Sequence, residues 1–145
     1  MLQRIQSIFL LLTSGSFFSL FGVHFASSNK SAEGIFSDQL YNIMDNPVLM
    51  GLAVFGGAMA LITIFMFKNR PLQLRLGYLL IVLCILLPLV AALLMYNEGT
   101  QNAPNVVIDD GLGIYLPIVG LVSTILANRF IKKDNNLVKS MDRLR

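Results

Sequence analysis

Three features of this chain are of types that commonly do chemistry: the single histidine, His24, the single cysteine, Cys84, and the acidic pair Asp109-Asp110. His24 falls near the outer end of an apolar run and reads as an interfacial side chain. One histidine cannot provide the two axial ligands of a bis-histidine haem, and a metal site lacks further ligands. Cys84 lies inside another apolar run, where a buried thiol is inert, and with no second cysteine a disulfide within the chain is impossible. Asp109-Asp110 has the composition of a cation-binding pair, but an acidic outer loop is more simply read as solvated. No phosphate-cradling loop, framed nucleophile or CxxC occurs. The expectation is therefore no enzyme, with no catalytic, cofactor-binding or metal-ligating residue assigned.

The elements around these residues are made for lipid. Over 145 residues the composition is 55% hydrophobic and 13% charged, about half the charge usual in a soluble domain. Two uncharged runs, Pro47–Phe67 and Leu76–Tyr96, are joined by the basic link Lys68–Arg75. Each run, as a helix rising about 1.5 Å per residue, matches a hydrocarbon core roughly 30 Å thick. The fold class expected is all-α: one membrane domain over 1–145, with spans at about 5–26, 47–67, 72–96 and 112–131. The first run has the basic start of a secretory signal, but its apolar part is too long for one, so it is expected to be retained. The outer loops are then 27–46 and 97–111, and the tail is 132–145. No Asp, Glu, Lys or Arg lies deep in any span, whereas proton relays and ion-coupled transporters usually keep such a residue.

Small residues mark the faces on which these helices are expected to pack. Gly15, Ser19, Gly22 and Ala26 share one face of the first span. Ala53 with Gly57, and Gly56 with Ala60, form small-xxx-small pairs in the second. Gly113, Gly120 and Ala127 repeat every seven residues in the fourth. Such faces allow close backbone approach where no hydrophobic effect draws helices together. Pro71 suits a helix start, Pro88 predicts a kink in mid-membrane, and Pro117 is expected about a turn inside the fourth span. In the first outer loop Ile35, Phe36, Leu40, Ile43 and Met44 have roughly the spacing of a short amphipathic helix, with Ser37 as its N-cap and Pro47 beyond it, either resting on the membrane or packed as a lid. Leu137, Val138, Met141 and Leu144 opposite Lys139, Asp142, Arg143 and Arg145 predict a separate amphipathic helix in the tail, interfacial by default, with docking to a cytosolic partner the alternative.

Charge sets the expected orientation. The segments 1–4, 68–75 and 129–145 hold ten of the eleven Lys and Arg residues and two acids, while the outer loops hold Lys30 and six acids. By the positive-inside rule both termini are cytoplasmic. Arg70, Arg75, Arg129, Lys132, Lys133 and Arg143 are then the candidate contacts for inner-leaflet lipid or a partner. The positive charge is explained by topology, so no nucleic acid is expected, and no cofactor or small-molecule substrate is identifiable.

Three blocks carry a family resemblance: Met1-Leu2-Gln3-Arg4-Ile5-Gln6-Ser7-Ile8, Asn69-Arg70-Pro71-Leu72-Gln73-Leu74-Arg75-Leu76, and the ending from Leu126-Ala127-Asn128-Arg129-Phe130-Ile131-Lys132-Lys133-Asp134 to Asp142-Arg143-Leu144-Arg145. Together they resemble the uncharacterised domain-of-unknown-function family 4293, small four-span inner-membrane proteins of Bacteroidota. The resemblance covers the whole chain and implies that topology, with the first span retained, in the bacterial inner membrane. It implies no activity. The expected role is an accessory or scaffolding subunit bound to another integral membrane protein or to itself; the alternative is a small oligomeric transporter or channel.

Overall fold

The computed structural model describes residues 2–29, 38–100 and 108–142. Four helices carry the fold: α1 (Leu2–Ser19), α2 (Pro47–Phe65), α3 (Arg70–Leu94) and α4 (Leu116–Asp142). All four are long and apolar enough to cross a membrane. They form a ring in which α1 packs on α2 and α4, and α3 packs on the same two. The starts are chemically specified. Asn46 accepts from the Val48 N–H at 2.9 Å with Pro47 in the first turn, and Asn69 accepts from the Leu72 N–H at 3.3 Å with Pro71 in the first turn. Proline costs nothing there because its missing N–H would have had no helical partner.

The surface is inverted relative to a water-soluble protein. Leu11, Phe55, Ile62, Val82, Ile85 and Val122 are exposed, while Thr13, Ser14, Thr63, Gln73, Thr124 and Asn128 are buried beside Leu10, Leu80 and Leu87. An apolar belt this extensive is what a bilayer solvates. Polar side chains turn inward because hydrocarbon offers them no partner. One end gathers the start of α1, the α2–α3 link and the end of α4, and is basic; the other carries Asp38, Asp45, Asp109 and Asp110.

That acidic end holds the structure least expected of an all-α chain. Three short strands, β1 (Ala26–Ser28), β2 (Leu40–Tyr41) and β3 (Ile108–Asp110), form an antiparallel sheet with β1 in the centre. Ala26 pairs with both Tyr41 and Asp110. The chain enters β2 through Gln39, whose φ of 65° is left-handed and sharpens the turn. Further bonds run from Phe25 N–H to Tyr41 O (2.7 Å), Gly111 N–H to Phe25 O (2.8 Å) and Gly113 N–H to His24 O (2.9 Å).

Several expectations change accordingly. The first helix ends at Ser19, followed by a 3-10 turn over Leu20–Gly22, rather than reaching Ala26. Strand pairing claims Ala26, so the backbone must leave the helix before it. The amphipathic helix expected across 37–47 is instead β2 and a 3-10 turn, Ile43–Asp45, with Tyr41 and Ile43 buried; Ile35, Phe36 and Ser37 lie outside the described residues. The segment is a cap over the helix ends. Pro117 opens α4 rather than interrupting it, since a 3-10 turn, Leu112–Ile114, precedes the helix. The tail is no separate helix: α4 continues unbroken to Asp142, because nothing between 131 and 142 ends a helix.

Candidate functional site

The helix seams are built from hydroxyls and small residues. Between α1 and α4, Thr13 Oγ1 lies 3.0 Å from Thr124 Oγ1, and Thr124 Oγ1 donates to Gly120 O at 2.8 Å. Between α1 and α2, Ser14 Oγ donates to Gly57 O at 3.1 Å. Phe17 sits over Gly56 and Phe18 over Gly57, where any added Cβ would meet the rings. Ala53 and Ala60 are fully buried in the same helix. Gly120 faces Ser16 and the buried Cys84, so one glycine serves the meeting of α1, α3 and α4. Ala127 is fully buried farther along α4, and Phe9 and Phe130 stack with ring centres 5.7 Å apart.

Two of the small-residue assignments fall elsewhere. Gly113 lies in the turn before α4, where a side chain would strike the His24 carbonyl; its role is close approach of two backbones in the cap. Gly15, Ser19 and Gly22 face outward, and nothing stands within 4 Å of where a Cβ at Gly15 or Gly22 would be. The face of α1 turned inward carries Gln6, Leu10, Thr13 and Phe17 instead, with Leu20 buried in the turn that follows. Hydroxyl partners and a ring to fill the space over Gly56 outweigh smallness in choosing it.

At the basic end, Arg70 reaches α4: its guanidinium lies 3.1 Å from the Asp134 carboxylate and donates to Asp134 O at 3.0 Å. It thereby fastens the start of α3 to the far part of α4. Gln73 Nε2 donates to Thr63 O at 3.1 Å, tying α3 to α2. Arg75, Arg129, Lys132 and Lys133 are exposed, and Arg143 lies outside the described residues. Arg129 and Lys132, with Tyr78, Ile81, Ile125 and Asn128, line a groove of about 200 Å³ between α3 and α4. Asn128 is 6% exposed and packs against Gly77, and among the described residues neither its amide oxygen nor its amide nitrogen has a hydrogen-bond partner. The polar residues at 13, 63 and 124 interrupt apolar runs, and those at 73 and 128 lie at the ends of them. That interruption is the signal by which sequence reasoning could have found the seams.

At the acidic end, His24 is half-buried and borders a hollow of about 450 Å³ with Asp38 and Asp45. Burial raises the pKa of Asp45; the backbone N–H of Asn42, 2.6 Å from its carboxylate, opposes this, and the Asp38 charge adds to it. Asp109 and Asp110 are exposed on β3. Among the described residues, no group of three His, Cys, Asp or Glu side chains could hold a metal ion. A second cavity, about 90 Å³ and apolar, lies under the cap between Phe25, Tyr41, Pro88 and Ala91.

No curated protein and no solved structure matches the chain. The inward hydroxyls, the apolar outer belt and the cap all fall within residues 2–144, over which the chain matches, and thereby belongs to, the family described as domain of unknown function DUF4293.

Proposed function

We propose that this protein is an accessory or scaffolding subunit of the bacterial inner membrane, held by another integral membrane protein along the outer face of α1, with its basic end in the cytoplasm. The observation that carries this reading is the position of Gly15, Ser19 and Gly22. All three are exposed, Gly15 and Ser19 on α1 and Gly22 in the turn that follows it, and among the described residues nothing stands within 4 Å of where a Cβ at Gly15 or Gly22 would be. In lipid such a face gains from a partner helix what it cannot gain from hydrocarbon, namely close van der Waals packing and backbone approach. A transport pathway is the weaker reading, because Leu10, Ala53, Leu80 and Leu87 fill the ring of helices with fully buried apolar groups.

The variant Gly15→Leu/Gly22→Leu separates partner binding from folding. Both sites are open, so its melting temperature in detergent should stay within about 2 °C of wild type, consistent with the small effects of surface changes. Its co-purifying membrane protein, identified by mass spectrometry from native-level expression, should be lost. A particle without any partner in the wild type, or equal recovery in the variant, overturns the reading. For orientation, a reporter fused after Arg145 should stay in the cytoplasm, and its export would reverse the assignment.

A further inference from the structure

We infer that the groove between α3 and α4 at the basic end is a binding site for a single anionic phospholipid, its phosphodiester held by Arg129 and Lys132 and its acyl chain lying along Ile125 and Ile81. Those four residues, with Tyr78 and Asn128, form the wall of the groove. On α4 the lining positions 125, 128, 129 and 132 recur at helical spacing, so they make one stripe about 10 Å long. Because α4 runs toward the basic end and α3 away from it, Lys132 lies outermost on that stripe and Ile125 and Ile81 innermost. The polarity therefore changes along the groove in the order charge, amide and phenol, then hydrocarbon. A lipid standing in a leaflet has the same order.

Three details make this a site rather than a charged surface. Its volume of about 200 Å³ suits a headgroup. Tyr78 and Ile125 are exposed, so the groove opens sideways into the bilayer. Asn128 is buried in its wall with both amide atoms unpaired, which is costly unless something bonds to them. The amide is closed off against Gly77, so a turn of the side chain toward the groove would bring its donor and acceptor to a headgroup phosphate or glycerol hydroxyl. Lys133 carries the same charge next to Lys132 but is not part of the lining, and it serves as the internal control.

The inference rests on the membrane reading, and the experiment tells the two failures apart. Full-length protein is purified in neutral detergent and offered phosphatidylglycerol or phosphatidylcholine at equal mole fraction, with bound lipid counted by native mass spectrometry. Phosphatidylglycerol should be retained at least about tenfold over phosphatidylcholine. Arg129→Gln and Lys132→Gln should each lower that retention about fivefold, the effect of one cation beside an anionic headgroup, and Lys133→Gln less than about twofold. All three replaced residues are exposed, so the variants should fold; an unchanged circular dichroism melt verifies it. Equal retention of the two lipids, or a Lys133→Gln loss as large as the others, overturns the site. So does inorganic phosphate at millimolar concentration protecting the lipid-free protein as well as phosphatidylglycerol does, since the groove would then serve a free anion. A chain that alkaline carbonate strips from membranes would defeat the membrane reading itself; one that stays embedded but shows no lipid preference defeats only this inference.

Discussion

Replacing Gly77 by Leu should push α3 away from α4 and destabilise the bundle by about 3 kcal/mol, the upper part of the usual range for overpacking a filled core. A Cβ at position 77 would land on the Asn128 amide. Gly77→Ala is the more informative companion. Alanine in a helix interior is favoured over glycine by about 1 kcal/mol, so its net cost depends on whether the Asn128 side chain can swing aside. If contact with Asn128 is the cause, Gly77→Ala combined with Asn128→Ala should be more stable than the sum of the single changes, with a coupling of about 1–3 kcal/mol. Thermal melts of the four proteins in one detergent, followed by circular dichroism, measure it. Additive effects would assign the loss to the helix itself.

The second large effect lies in the cap. Tyr41 is 1% exposed; its hydroxyl donates to Ala91 O on α3 at 3.1 Å, and its ring meets Phe25 at 5.6 Å. Tyr41→Ala removes a buried ring beside an existing small cavity and should cost about 3–5 kcal/mol, as large aromatic truncations do. Tyr41→Phe keeps the ring and loses a bond, for about 1 kcal/mol. The same melts give both values. Limited proteolysis from the acidic side should cut Tyr41→Ala faster, whereas the phenylalanine variant should resist nearly as well as wild type. Equal losses in the two variants would show that the hydroxyl, not the ring, anchors the cap.

What sequence could disclose depended on the range of the interaction. The helix starts at Pro47 and Pro71 were legible because caps and proline act within four residues. The three strands were not. Ala26, Tyr41 and Asp110 become neighbours only when distant segments pair, and each strand is too short to show alternation. The helical spacing around Leu40 and Ile43 misled: of that stripe Ile43 is buried but Leu40 and Met44 are exposed, and Tyr41, which lies off it, is buried, because strand pairing and a 3-10 turn rather than a helix set which side chains face the cap. In the groove, Arg129 and Lys132 were noticed as basic residues. Their partners Tyr78 and Asn128 were not, because the seam joining them spans about fifty residues of chain.

On its own the sequence determined the solvent. Long uncharged runs and charges gathered at their ends follow from the cost of placing ions in hydrocarbon, a cost that each segment meets independently. Only the tertiary structure decided which face of α1 turns inward. Smallness along Gly15, Ser19 and Gly22 competed with the hydroxyls of Thr13 and Ser14 and the ring of Phe17. The latter prevailed because Thr124, Gly57 and Gly56 stand opposite them, and a buried hydroxyl must find a partner whereas a glycine can face lipid at little cost.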